Sequence, residues 1–446
     1  MILRGEWVVP VSRPPIRDGA VLVDDRAITA VGPYEEVRCQ AGRGCDVLDF
    51  GRAIIMPGLV NSHTHLMLTV LRGVEDDLTL FPWLASGVLG PEEALDDRDF
   101  YFSALLGCLE ATRSGTTCLA DACPRDVGLR AMAEAGLRGT AYLEVFEGER
   151  SPEEAVEEAL KSALRMAEEA PERVRVGVSP HSPYANSRET LELLAMGARE
   201  EGLPICLHLA ETKAEFEFFL EGSGELALVA EELGLRVRGG LGKTPTRYLH
   251  ELGLLGPDVL LAHAIYLTEE DMSLIAGAGS PVAHCPKSNA KLGSGVARVP
   301  EMLSSGIKVS LGTDSAASNN KLDMFEEMRA AVLVQRAVRA DAPILTAEEA
   351  LRMATLGGAE VLGLSDLVGS LEPGKRADVT VVELREGLLP TYDPISTIVY
   401  CADGSDVVFT MVDGEILYER GRFYKLDAER VLDACRRIGE KLAEEL

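Results

Sequence analysis

Short β-like runs alternate with helical patterns through the middle of this 446-residue chain, at 54–61, 116–120, 139–145, 174–179, 204–209, 259–262, 281–283 and 307–311. Stretches rich in Ala, Glu, Leu and Arg, such as 152–170, 187–201 and 300–305, lie between most of them and carry strong helix formers. Strands separated by helices pair in parallel, and eight such units in succession predict an α/β fold, a (β/α)8 TIM barrel.

The two ends read differently. Residues 7–11, 20–23 and 27–31 are β-rich, and so are 377–382, 407–412 and 415–418, the last two joined by an Asp413-Gly414 turn. One small β-sandwich built from both chain ends is expected. The division is then 1–56 (first part of the sandwich), 57–365 (barrel) and 366–446 (second part of the sandwich, with an amphipathic helix over 427–446).

Charge narrows the partners. A net charge of −28 opposes binding to nucleic acid or an anionic membrane surface. No apolar stretch approaches the roughly 20 residues that span a bilayer, and the first residues lack a secretion-signal pattern. Nine scattered cysteines without a C-x-x-C pair fit a reducing cytoplasm. A homo-oligomer, dimer or tetramer, is the expected assembly.

In such a barrel the active site lies at the C-terminal ends of the strands. Of seven histidines, six fall there: His63 and His65 after the first run, His181 after the fourth, His208 in the fifth, His263 after the sixth and His284 after the seventh. Asp314 follows the eighth, and only His250 sits within a helical stretch. In Met56-Pro57-Gly58-Leu59-Val60-Asn61-Ser62-His63-Thr64-His65 the two histidines stand at i and i+2, on one side of an extended chain.

His63, His65, His208 and Asp314 form a donor set suited to one catalytic divalent ion, Zn²⁺ or, as the alternative, Fe²⁺. Such an ion lowers the pKa of bound water to about 7. Glu211, three residues after His208, is the expected proton carrier. His263 is expected to polarise the attacked centre or to steady the metal-bound water, and Asp314 to share in proton handling. His181 reads as substrate-binding, and His284 as either structural or functional.

Three other motifs carry no weight. Gly240-Leu241-Gly242-Lys243-Thr244 resembles the end of a P-loop, but Val237 stands where its first glycine belongs. G-x-S-x-G is absent, and Cys285-Pro286 lacks the rest of a cytidine-deaminase zinc signature.

The order His63-x-His65, His208, His263, Asp314 resembles the amidohydrolase superfamily over nearly the whole chain. No lysine occurs in 174–184, after the fourth strand, where binuclear members carry one; the resemblance therefore implies the mononuclear subgroup. Ser179-Pro180-His181-Ser182-Pro183-Tyr184, His208-Leu209-Ala210-Glu211-Thr212, Cys285-Pro286-Lys287-Ser288-Asn289-Ala290-Lys291-Leu292 and Gly312-Thr313-Asp314-Ser315 are similar to the 5′-methylthioadenosine/S-adenosylhomocysteine deaminases.

That similarity implies hydrolytic removal of the 6-amino group of a small-molecule nucleoside. It places Trp83, Glu92, His181 and Glu211 against the substrate, Glu92 on the ribose hydroxyls, and Arg150 near the 5′ substituent. The long 218–253 insert resembles aminodeoxyfutalosine deaminases instead, which leaves the 5′ group open. Triazine and guanine hydrolases share the metal motif. A non-catalytic assembly protein is disfavoured because every expected ligand is present.

Overall fold

The computed structural model describes every residue except 43, 231–234, 236 and 446. These positions belong to the expected first sandwich segment, the 218–253 insert and the terminal helix, and lie outside the described residues.

Eight parallel strands form one sheet in sequential order: β1 (Leu59–Thr64), β2 (Thr116–Cys123), β3 (Arg138–Glu144), β4 (Val174–Ser179), β5 (Ile205–Leu209), β6 (Val259–His263), β7 (Val282–His284) and β8 (Val309–Leu311). Nearly every strand residue is buried, as a parallel sheet with helices outside and packed side chains inside requires. This is the expected TIM barrel.

Its helices start and stop on local signals. Ser151 accepts a hydrogen bond from Glu154 N–H, with Pro152 in the first turn of the helix Pro152–Glu169. Ser187 caps Arg188–Glu200 in the same manner.

β1 and β8 meet without a regular ladder among the described residues. Asp314 N–H donates to His63 O at 2.9 Å, and the Asn61 amide donates to Thr313 Oγ1 at 2.7 Å while accepting from Thr313 N–H at 3.0 Å. Gly312 allows this approach, because a Cβ there would lie 2.8 Å from His63 Cβ.

The second sheet has nine strands and draws on both chain ends. At its centre, Ala53–Pro57 pairs in parallel with Trp7 and Val8, and antiparallel with Val379–Glu383. Hydrogen bonding runs through the whole sheet, so the layers expected of a sandwich are parts of one sheet. Leu3, Val21 and Ile28 share a core cluster with Val379, Phe409 and Met411.

Three expectations are corrected. The run 54–61 is two strands, broken at Gly58, where a Cβ would lie 2.1 Å from Thr117 Oγ1. The first strand begins at Ile2 rather than Trp7. A short strand, Val47–Asp49, pairs beside it. The terminal helix Ala428–Glu445 packs on Asp97–Arg113, with Lys441 Nζ 2.8 Å from Asp99 Oδ2. Among the described residues no helix is long and apolar enough to cross a membrane.

A buried ion network joins the sheets. Arg138, at the start of β3, donates to Asp378 at 2.8 and 3.1 Å and to Asp413 at 2.7 Å. Arg173 also holds Asp413, at 2.9 Å. Removing one partner of a buried network leaves a charge unpaired. Arg138→Met is therefore expected to destabilise the fold by about 3–5 kcal/mol, seen as a large drop in thermal unfolding midpoint. An unchanged midpoint would remove the network from the account.

Candidate active site

Several strand ends are bent sharply into the mouth of the barrel. His181, Ala210, His263 and Asp314 have φ of 48°, 49°, 68° and 61°, the left-handed region that non-glycine residues seldom occupy. They follow or end β4, β5, β6 and β8, and such backbone strain concentrates at functional sites.

The histidines converge. The His63 ring centroid lies 4.9 Å from both His65 and His208, and 5.5 Å from His263. His65 Nδ1 lies 2.9 Å from Ala122 O, and His208 Nδ1 lies 2.8 Å from His181 O. A carbonyl oxygen only accepts, so each Nδ1 carries the proton and each Nε2 presents a lone pair. Those two Nε2 atoms face each other at 3.2 Å. His63 Nε2 is buried with no hydrogen-bond partner. Asp314 Oδ1 stands 3.8 Å from His63 Nε2 and 3.6 Å from His65 Nε2.

Facing lone pairs repel unless a cation lies between them. Three neutral imidazoles and one carboxylate suit a Zn²⁺-type ion, so the donor set fits the expected metal. Burial holds the pKa of His63, His65 and His208 below the ordinary histidine value, keeping the nitrogens free to ligate. Asp314 is also buried, which alone would raise its pKa, but His263 above all, with the hydrogen bond from Ser288 in support, brings it down to about 2.

Beside this set stand Glu211 and His263, with Glu211 Oε1 3.8 Å from His263 Nε2. Burial pushes Glu211 up to about 7, with His263 drawing it back. For His263 burial acts downward, but the Glu211 and Asp314 carboxylates outweigh it and hold its pKa above the ordinary value. The fold keeps Glu211 in place through Glu215, whose carboxylate accepts from Ala210 N–H and Glu211 N–H, both at 2.9 Å.

These groups open onto a cavity of about 300 Å³, large enough for a small heterocyclic ligand. Trp83, Glu92 and His181 line it, as expected from the sequence. Burial pushes Glu92 up to about 7 and His181 down to about 3. Leu80, Leu84, Val88 and Leu89 form an apolar wall, and Leu235 of the insert adds to it. Thr79 Oγ1 meets Glu225 Oε1 at 3.3 Å, tying the 79–92 segment to the insert.

Arg150 is not brought into the cavity. Its guanidinium pairs with Glu158 at 2.6 Å and donates to the carbonyls of Phe146 and Glu147. It serves as a brace for the segment after β3. His284 is buried but does not line the cavity, and burial lowers its pKa to about 3, which favours the structural reading. His250 is exposed in the helix Pro245–Glu251.

Sequence reasoning missed Glu144. This last residue of β3 lines the cavity with Oε2 3.8 Å from His65 Nδ1, while Oε1 is buried and unpartnered. Burial raises its pKa to about 8. An acid ending the apolar run Ala141-Tyr142-Leu143 at a strand's C-terminal end was the available signal.

The sequence pattern of the Amidohydrolase family matches residues 54–417. The chain belongs to the amidohydrolase family. A 5-methylthioadenosine/S-adenosylhomocysteine deaminase of Nitratidesulfovibrio vulgaris is 41% identical to this amidohydrolase over 431 residues, covering 96% of this chain and 93% of that protein. A 5′-deoxyadenosine deaminase of Methanosarcina mazei is 36% identical over 431 residues, covering 96% and 94%. Among solved structures, a zinc-bound adenosine deaminase from Xanthomonas campestris superposes with a TM-score of 0.88 at 30% identity, covering 99% of this chain and 98% of that one.

A cation between the facing nitrogens should stabilise the folded amidohydrolase by mass action, by about 2.7 kcal/mol at a hundredfold excess over its Kd. Zinc added to chelator-stripped protein is expected to raise the thermal midpoint, and His208→Ala is expected to lose most of that rise. An equal rise in both proteins would place the binding elsewhere.

Proposed function

We propose that this amidohydrolase removes the 6-amino group of 5′-modified adenosines, giving an inosine-type product and ammonia. His63, His65, His208 and Asp314 would hold one divalent ion, Zn²⁺ by the chemistry of the donors. The observation that carries the reading is the Glu211–His263 pair standing beside the four-donor set at an apolar cavity. The names of the nucleoside deaminases it resembles supply the substrate class.

A divalent ion held there would supply Lewis acidity and lower the pKa of water toward neutrality. Glu211 takes the proton from the attacking water and delivers it to the amino nitrogen as ammonia leaves. His263, protonated through its carboxylate neighbours, donates from Nε2 to the oxygen as it bonds to C6. The flat apolar wall around Trp83 orients the purine, and Glu92 and His181 supply polar contacts to the nucleoside. Leu235 puts the insert at the cavity, where it would influence the choice of 5′ group.

Ammonia release is the direct test, on 5′-methylthioadenosine, S-adenosylhomocysteine, 5′-deoxyadenosine, aminodeoxyfutalosine, adenosine and guanine. Turnover of at least one adenosine is expected, and none on all six would overturn the substrate class. Glu211→Gln should lower kcat by about 10²–10⁴-fold, and chelation should abolish activity until zinc is restored. A base must be ionised to act, so kcat/KM should fall as pH drops through the Glu211 pKa. A nearby cation draws that pKa down, placing the acid limb at or below about 7.

A further inference from the structure

Among the described residues neither β7 nor the helix that follows it lines the cavity, yet that helix touches two residues that do. That helix, Pro286–Lys291, carries the Lys287-Ser288-Asn289 motif. Asn289 Oδ1 lies 2.9 Å from His263 Nδ1, and Asn289 is 1% exposed. Ser288 donates its hydroxyl to Asp314 Oδ2 at 2.6 Å and is fully buried. Ser318 donates to the same oxygen at 3.0 Å, and the two serine hydroxyls are themselves 3.0 Å apart. The helix is anchored at both ends: Lys287 N–H donates to Glu327 at 3.2 Å, and Lys291 Nζ donates to Ala317 O at 2.9 Å and to Asp76 at 2.6 Å.

We propose that the helix Pro286–Lys291 is a positioning element of the site, with Asn289 fixing the orientation of the His263 ring and Ser288 fixing the carboxylate of Asp314. An amide oxygen accepting from Nδ1–H leaves Nε2 aimed at Glu211 and the cavity. Two hydroxyls on Oδ2 prevent the carboxylate from rotating and leave Oδ1 toward His63 and His65. Partners of this kind orient ligands and catalytic imidazoles, and their loss costs about 10–100-fold in metal affinity or activity. Asn289 and Ser288 are positioning residues, since both act through another side chain. The Asn289 role rests on the deaminase reading; the Ser288 role rests only on the donor set.

Three variants test the two roles separately. Asn289→Leu is expected to lower kcat roughly 10–100-fold on whichever adenosine the parent turns over best, with KM little changed. Asn289→Asp, which keeps an acceptor of the same shape, is expected to recover most of that loss. Ser288→Ala is expected to weaken zinc binding by about 10–100-fold, read by competition with a chromogenic chelator, which needs no substrate.

Parental kcat in Asn289→Leu, or equal losses in the Leu and Asp variants, would overturn the Asn289 role. Parental zinc affinity in Ser288→Ala would overturn the Ser288 role. If the parent protein is inert on every adenosine, the deaminase reading fails while the zinc measurement still decides the Ser288 role.

Discussion

The backbone bond from Asp314 N–H to His63 O, 2.9 Å long, closes the circle of strands and fixes two of the four donors at the same moment. A parallel barrel has to bring its first and last strands together, and here the residues that do so are the residues that face the cation site. His63 cannot drift from Asp314 without opening the cylinder. Gly312 and the Asn61–Thr313 pair serve the same closure, so the geometry of the donor set follows from barrel closure rather than from a separate loop.

From this seam the rest of the chemistry is arranged by distance around the rim. The donors sit where charge is neutralised, with Asp314 drawn down to about 2 by its imidazole neighbours. Glu211 and His263 sit one step away, where burial lifts the acid to about 7 and the neighbouring carboxylates hold the imidazole above its ordinary value. Farther out the wall turns apolar and carries the few polar groups a nucleoside requires. The cavity thus grades from an ionic floor to an apolar wall.

Much of this was legible because barrel periodicity assigns positions as well as elements. Once the alternation of runs was read, six histidines at strand ends stood out, and His63, His65, His208, Asp314, Glu211 and His263 do converge. What was not legible has physical reasons. The break at Gly58 falls inside a run apolar on both sides, and the need for glycine there is set by the close approach of Thr117, far along the chain. Arg150 lies in the segment after β3, whose path depends on carbonyls it braces rather than on any local pattern. Ser288 and Asn289 each reach a partner 26 residues away, a contact that no spacing rule predicts. Glu144 was overlooked because one acid after an apolar run reads as a solvated strand end.

The break at Gly58 also bears on how the chain is made. Ala53–Pro57 lies directly before the strand that carries His63, yet its antiparallel partner, Val379–Glu383, is more than 300 residues further on. As the chain leaves the ribosome, Ala53–Pro57 carries an unpaired edge until the whole barrel has been synthesised. Pairing of such long sequence separation is slow and exposes strand edges in the meantime. The His63-Thr64-His65 segment is thus tethered to a strand synthesised late, so loading of the ion is expected to follow synthesis of the barrel rather than to nucleate its folding.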